Sequence, residues 1–399
     1  MSDKKSRRPE TRVVTAGHDK ARNAGIVNTP VFHASTVVFD SVADMRDVNE
    51  RVFKKREKAL FYGRRGTPTH WTLQEAMSDL EGAADTFLAP SGLSACAVAI
   101  LGCVKAGDHI LVSESTYEPT RTFCDGLLAS LGVSTTFYPP RIGAGLAALF
   151  RPNTAAVFGE APGSHTFEMQ DIPAMAEIAH GRGAKLLVDN TWASPLFCKP
   201  LALGADVSIQ AATKYIVGHS DAMLGTIAVN ERALEGVQRA VSQLGITVAP
   251  DEVYLATRGL RTLSVRLKQH QENALIVARW MQRQPEVKRV LFPALPEDPG
   301  HGIWKRDFTG ASGLFGVVFH RTSDAAVAAL IDGMELFPLG FSWGGFESLI
   351  CPSSPSKSRK VEPWREPEPG IRLHIGLEHP DDLIADLAAG LARFRAVLG

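Results

Sequence analysis

From about residue 66 to about residue 260, short runs of aliphatic and β-branched residues alternate with segments long enough to be helices. Thr86-Phe87-Leu88 precedes a helical stretch from Ala95 to Val104. Ile110-Leu111-Val112 precedes one near Thr120 to Leu131, and Ala155-Ala156-Val157-Phe158 precedes one near Pro173 to His180. Leu186-Leu187-Val188-Asp189 and Val207-Ser208-Ile209 add two further strands. These runs are continuously apolar, which requires burial of both faces, and the spacers between them have the length of crossover connections. The pattern predicts an α/β fold with a parallel or mostly parallel sheet covered by helices on both sides. Ligands of such folds bind beyond the carboxyl ends of the strands, so the residues that follow each run are where chemistry is expected.

The flanking regions read differently. Residues 1 to about 65 hold few periodic segments and are expected to form an extended arm ending at Phe61-Tyr62-Gly63-Arg64-Arg65-Gly66. Beyond about residue 261 a smaller α+β domain is expected. There Leu260, Leu263 and Leu267 share one face of a long helix that Ala278-Arg279-Trp280-Met281 continues. Gly313 to Phe319 and Ile371 to Ile375 read as strands, and five prolines between Pro352 and Gly370 predict a loop. Pro380-Asp381-Asp382 opens the last helix with a first-turn proline and acids suited to its dipole, followed by the stripe Leu383, Leu387, Leu391, Phe394 and Leu398. The expected division is therefore 1–65, 66–260 and 261–399, with no internal repeat.

Charge narrows the function. Lys+Arg and Asp+Glu both total 43, so nothing points to a nucleic-acid or membrane partner. The one basic cluster, Lys4-Lys5-Ser6-Arg7-Arg8, reads as a solvated tail. No apolar run approaches spanning length, and the N-terminus lacks the hydrophobic core of a signal peptide. Five scattered cysteines form no disulfide or zinc spacing, which makes a reducing cytoplasm the expected compartment. None of the twelve histidines falls in a metal-binding helix motif, and no metal is expected.

Three strand ends carry candidate chemistry. Ala89-Pro90-Ser91-Gly92-Leu93-Ser94 follows a strand and opens a helix, an arrangement whose free N–H groups can hold a phosphate. Asp189 ends a buried strand, where its carboxylate needs a partner. That partner is either the following turn, through Asn190 and Thr191, or a protonated ring nitrogen. Lys214, in Ala211-Ala212-Thr213-Lys214-Tyr215, lies among small and apolar neighbours that disfavour its ammonium form and make the amine a nucleophile. Phosphate turn, aspartate and lysine in that order on one sheet suggest pyridoxal 5'-phosphate anchored at three points. A dinucleotide is the alternative ligand, because Gly143-Ala144-Gly145-Leu146-Ala147-Ala148 fits a relaxed fingerprint. That stretch follows Pro139-Pro140, which cannot end a central strand as the fingerprint requires.

Ala212-Thr213-Lys214-Tyr215 with Gly218-His219-Ser220-Asp221, Val188-Asp189-Asn190-Thr191 and Ser91-Gly92 resemble the cofactor signature of the pyridoxal-phosphate enzymes of cysteine and methionine metabolism. The resemblance runs from about Thr11 to the C-terminus. Within that family Tyr62-Gly63-Arg64-Arg65-Gly66-Thr67, Tyr117-Glu118-Pro119, the stretch from Ser342 to Leu349 and the stretch from Ile371 to Glu378 match the branch that eliminates a thiol from the β-carbon of an amino acid. The resemblance implies fold type I, with a seven-stranded type of sheet. It also implies an amino-acid substrate and a homo-oligomer, a tetramer built from dimers with shared active sites.

Residue by residue, the resemblance implies that Lys214 holds the cofactor covalently, Asp189 pairs with its ring nitrogen and Tyr117 stacks on its face. Gly92 and Leu93 would give backbone N–H groups to the phosphate and Thr213 a hydroxyl. Tyr62 and Arg64 would reach the phosphate site of a neighbouring subunit, with Tyr62 also on the substrate side. Arg372 would clamp the substrate carboxylate, Ser342 would position the Lys214 amine, and Trp343 with Phe341 would form an apolar wall. Taken singly, Tyr117 and Trp343 fit core aromatics and Arg64 and Arg372 fit surface charges; their co-occurrence carries the reading. Two positions depart from the family: Ala211 stands where many relatives have serine, and Phe341 where members acting at the γ-carbon commonly have an acid. Those γ-acting enzymes are the rival within the family, and a cofactor-binding regulator without turnover is the rival outside it.

Overall fold

The structure is a computed structural model that describes residues 7–399; residues 4–6 of the basic tail lie outside the described residues. Seven strands form the central sheet: β1 (Asp85–Ala89), β2 (His109–Ser113), β3 (Ser134–Tyr138), β4 (Thr154–Glu160), β5 (Lys185–Asp189), β6 (Val207–Gln210) and β7 (Gly225–Val229). Their order is β1-β7-β6-β5-β4-β2-β3. From β6 to β3 every pairing is parallel, while β7 runs antiparallel to both of its neighbours. Six strands therefore point one way, and their carboxyl ends share one edge.

Burial on both faces explains the unbroken apolar runs. Leu111, Val157, Leu186 and Val188 join one hydrophobic cluster, whereas Ile110, Val112, Phe158 and Leu187 join the other. Adjacent side chains thus enter opposite cores, as the two-residue period of a strand demands. A second sheet holds β8 (Val287–Leu291), β9 (Leu314–Phe319), β10 (Leu349–Ser353) and β11 (Gly370–His374) in the order β10-β11-β9-β8, antiparallel throughout. Its Val317, Ile371 and Leu373 belong to the same cluster as Leu111 and Leu186, so one core joins the two sheets. The final helix, Pro380–Leu398, buries Leu383, Leu387, Leu391 and Phe394 of the expected stripe, while Leu398 is half-buried against the same core. Among the described residues no helix is long and apolar enough to cross a membrane. All five cysteines are buried and unpaired.

Several expectations require correction. The first 65 residues are not wholly extended: they contain the helices Pro9–Thr15 and Val42–Phe53. Ser41 caps the latter by accepting from the Asp44 N–H, and Val48 is its single buried residue, although Val42, Met45, Val48 and Val52 recur at helical spacing. Leu260 and Leu263 do not share a helix. One helix, Pro250–Leu260, ends where a turn at Arg261-Thr262 intervenes, and another, Leu263–Gln282, begins after it. The helix expected near Thr120 to Leu131 starts at Glu118 and carries a π-helical segment, Cys124–Leu128. The loop expected from Pro352 begins in β10, and the strands β3, β7, β8 and β10 are additions to the sequence-based pattern. Pro139-Pro140 follows the edge strand β3 and leads into a 3-10 turn, Gly143–Leu149, rather than an α-helix, which removes the dinucleotide fingerprint.

Candidate active site

The carboxyl ends of β1, β2, β4, β5 and β6 bring the candidate residues to one sheet edge. Asp189 ends β5 and pairs in register with Glu160 at the end of β4. One Asp189 oxygen, Oδ1, accepts from the Thr191 N–H at 3.0 Å and the Thr191 hydroxyl at 2.5 Å. The turn reading of Asp189 is therefore correct for that oxygen. The other, Oδ2, meets only the Cys96 thiol at 3.7 Å among the described residues. Burial pushes the Asp189 carboxyl up, against its Thr191 hydrogen bonds. A protonated ring nitrogen at Oδ2 would reverse that penalty.

Lys214 lies in the turn that follows β6. Thr191 ties this turn to Asp189, because its Oγ1 also accepts from the Ala211 N–H at 2.8 Å. From below, the buried Arg266 donates to the carbonyl of Tyr215 at 2.8 Å. Desolvation, then the Arg372 charge, lowers the Lys214 amine to about 8, with Asp189 opposing. Its Nζ donates to Ser342 Oγ at 2.7 Å and stands 5.4 Å from the centre of the Trp343 ring.

Ser342 itself adopts a φ of 84°, a conformation that costs a side-chain-bearing residue roughly 1–3 kcal/mol. Arg372 on β11 donates through Nη2 to the Ser342 carbonyl at 3.3 Å. Gly344, at a φ of 89°, leans against the Lys214 backbone, where a Cβ would come within 2.8 Å of the Lys214 carbonyl carbon. The segment from Ser342 to Gly344 therefore packs directly on the lysine turn.

The Ser91 turn completes the arrangement. Ser91 caps the helix Gly92–Cys103 by accepting from the Ser94 N–H. The N–H groups of Gly92 and Leu93 have no partner among the described residues and lie at the positive end of that helix's dipole. A Cβ on Gly92 would lie 2.4 Å from the Ala211 Cβ, so only glycine lets this turn meet the lysine turn. Tyr117 follows β2, donates its backbone N–H to Glu160 Oε2 at 2.7 Å and is 48% exposed.

The sequence model of the Cys/Met metabolism PLP-dependent enzymes matches residues 10–392. The chain belongs to that family. It is 46% identical to the cystathionine β-lyase MetC of Escherichia coli over 399 residues, covering 98% of this chain and 100% of that one. It is 45% identical to the cystathionine β-lyase of Salmonella typhimurium over 399 residues, again covering 98% and 100%. A cystathionine γ-synthase from Xanthomonas oryzae pv. oryzae superposes with a TM-score of 0.87 at 30% identity, covering 97% of this chain and 98% of that one.

Family membership makes pyridoxal phosphate (PLP) the cofactor of this Cys/Met metabolism enzyme. The residues present fit that group. Among the described residues Asp189 Oδ2 lacks a nitrogen or oxygen donor, the Gly92 turn is cleared of side chain and has N–H groups without partners, and the Lys214 amine is lowered.

Some expected contributors stand elsewhere. The Thr213 hydroxyl is engaged: it donates to the Leu224 carbonyl at 3.2 Å and accepts from the Leu224 N–H at 3.1 Å, stitching the lysine turn to the start of β7. It must break the first bond before it can donate to a phosphate. Phe341 is 94% exposed and forms no wall with Trp343, which packs beside Lys214 and against Tyr215. The backbone turn at Ser342 sends the two aromatic neighbours apart. Tyr62 is exposed, and Arg64 donates to the Ser242 carbonyl at 3.2 Å; neither hydrogen-bonds to Lys214 or Asp189 within the chain.

Sequence reading missed Glu160 and His374. Glu160 was detectable, since it is a carboxylate ending a buried strand, as Asp189 is. Burial, then the neighbouring Asp189, holds its carboxyl well above the usual range. Its hydrogen bond to the Tyr117 N–H fixes where that ring begins.

Proposed function

We propose that this enzyme eliminates homocysteine from the β-carbon of cystathionine, consuming water and leaving pyruvate and ammonia. Near-full-length identity to two enzymes named cystathionine β-lyase carries this reading. The non-acidic Phe341 beside Ser342 supports elimination at the β-carbon over the γ-carbon.

When bound, PLP supplies an electron sink for negative charge at the substrate α-carbon. Asp189 sustains that sink by keeping a negative charge behind the ring nitrogen. Arg372 pairs with the substrate carboxylate and so orients the α-hydrogen toward Lys214. Lys214 Nζ removes that proton as a neutral amine and returns it to the departing sulfur. Ser342 Oγ, 2.7 Å away, holds the amine between the two positions. Tyr117 covers the ring face, and Gly92 and Leu93 bind the phosphate through backbone N–H groups. Trp343 lines the substrate side.

On this reading the 1–65 segment is an arm that brings Tyr62 and Arg64 to the site of a neighbouring subunit, and the assembly is a homotetramer of dimers. Neither Tyr62 nor Arg64 hydrogen-bonds to Lys214 or Asp189 of its own chain, which supports that assignment. The product belongs to methionine biosynthesis, and the buried, unpaired cysteines fit a reducing cytoplasm.

Product analysis tests the reaction. Purified enzyme with PLP and cystathionine is expected to release pyruvate and homocysteine in equal amounts; 2-oxobutyrate with cysteine would instead identify a γ-lyase. A protein that binds PLP and yields neither product would be the regulator. Cystine and cysteine, which present the same carboxylate, amine and β-sulfur, complete the substrate panel.

The lowered amine gives a second expected result. In protein freed of PLP, modification of Lys214 by an amine-directed reagent follows the neutral form. It rises as pH increases through about 8, well below the 10.5 of an ordinary lysine. Peptide mapping at Lys214 across a pH series spanning both values measures this, and a midpoint near that of ordinary lysine contradicts it.

A further inference from the structure

His374 lies two residues after Arg372 on β11, so both side chains leave the same face of that strand. Arg372 holds the carbonyl of Ser342, and His374 holds the other end of the same segment. Its Nε2 is 3.1 Å from the Gly344 nitrogen, which donates to it, and 3.1 Å from the Gly345 carbonyl. In either neutral tautomer, therefore, Nε2 has a backbone partner in Gly344-Gly345. His374 is 1% exposed, and its Nδ1 has no partner among the described residues.

The groups around it fix the ring. Tyr215 packs its edge 5.9 Å away, and His270 from the helix Leu263–Gln282 lies 5.3 Å away. Tyr215 in turn packs on Trp343 at 5.5 Å. The charged neighbours are Arg372 on its own strand and Lys214 on the facing turn. Burial, then His270, keeps the imidazole well below its usual range, so Nε2 remains available as a neutral partner.

We propose that His374 is a positioning residue for the elimination, acting through Gly344 to keep Ser342 Oγ against Lys214 Nζ. The reason is geometric. Gly344 rests on the Lys214 backbone, and Ser342 adopts a φ of 84° that the segment does not favour by itself. Arg372 cannot hold this conformation alone once its guanidinium turns to a substrate carboxylate. His374, only 1% exposed beneath this segment, has no free surface to offer a substrate and so can keep its grip when Arg372 turns away. This inference rests on the reaction assigned above.

The test compares His374→Leu, His374→Gln, Ser342→Ala and the double variant carrying both His374→Leu and Ser342→Ala as PLP-loaded enzymes. A glutamine amide can both accept from the Gly344 N–H and donate to the Gly345 carbonyl; leucine can do neither. His374→Leu is expected to lower kcat about tenfold, the size of one lost hydrogen bond, with KM changed less than about twofold. The double variant is expected to be no slower than Ser342→Ala, and His374→Gln to recover most of the wild-type rate.

A second readout needs no turnover. The pH titration of the bound cofactor's visible absorbance in His374→Leu should shift with that of Ser342→Ala, while His374→Gln titrates as wild type. Losses that add in full, or a His374→Leu titration identical to wild type, overturn the proposal. Should His374→Leu fail to fold, His374→Asn, polar but too short to reach Gly344, takes its place under the same criteria. Wild-type enzyme that releases no pyruvate from cystathionine would refute the assigned reaction instead, and the absorbance titrations would still decide the role of His374.

Discussion

Lys214→Ala protein is expected to lose turnover by about 10³-fold or more and to lose covalent attachment of PLP. Two contributions disappear together. The amine that would join the cofactor is gone, and so is the base that removes the α-proton and returns it to sulfur. General acid–base groups alone account for about 10²–10⁴ in rate. Ser342 cannot substitute, because a hydroxyl with no stronger base beside it does not remove a carbon-bound proton near neutrality. The measurement pairs pyruvate release with borohydride reduction, which should fix PLP to the wild-type chain at Lys214 and leave the variant unlabelled. The fold should survive, since the turn is held by the Arg266–Tyr215 and Thr191–Ala211 hydrogen bonds rather than by the Lys214 side chain. Labelling of the variant at another lysine, with turnover kept, contradicts the assignment of Lys214.

Asp189→Asn is expected to lower kcat by about 10²–10³-fold, with KM affected far less. Removing one partner of a buried ion pair costs about 3–5 kcal/mol, and each 1.4 kcal/mol is about tenfold in rate. The effect falls on the rate because charge on the ring nitrogen matters most when negative charge develops at the α-carbon. The substituted amide would still accept from Thr191 through its carbonyl oxygen, so the turn and the melting temperature should change little. Its NH₂ group would then face the ring nitrogen with a donor instead of a charge. Kinetics with cystathionine and the spectrum of the bound cofactor check this; an unchanged kcat would show that Oδ2 does not serve the ring nitrogen.

Both residues were legible as candidates in the sequence. A strand buried on both faces reads as an unbroken apolar run, so the first polar residue after it marks the sheet edge. Asp189 stands out in that way, while Lys214 is marked by the small and apolar residues around it in the turn after β6, and Gly92 by the Ser-Gly turn that opens a helix. Glu160 obeys the same rule as Asp189. Two of the strands that escaped detection lack the contrast: Ser134–Tyr138 is polar at the sheet margin, and Val287–Leu291 carries Lys288 and Arg289. The helix Val42–Phe53 carries a legible signal, Ser41 followed by Val42, Met45, Val48 and Val52 at helical spacing, that the reading of an extended arm passes over.

The order of strand and helix, the carboxyl-end location of the chemistry and the identity of its main residues were determined by the sequence itself, through local burial patterns and motif spacing. Pairwise geometry was decided only by the tertiary structure. Ser342 lies 128 residues beyond Lys214, yet meets its amine at 2.7 Å. That meeting depends on β11 holding a strained segment from two points, and on a glycine allowing the segment to rest on the lysine turn. Likewise the Thr213 hydroxyl, spent on Leu224, and the outward turn of Phe341 follow from backbone paths. Such contacts join residues far apart in the chain, and no local pattern of polarity encodes which of them will touch.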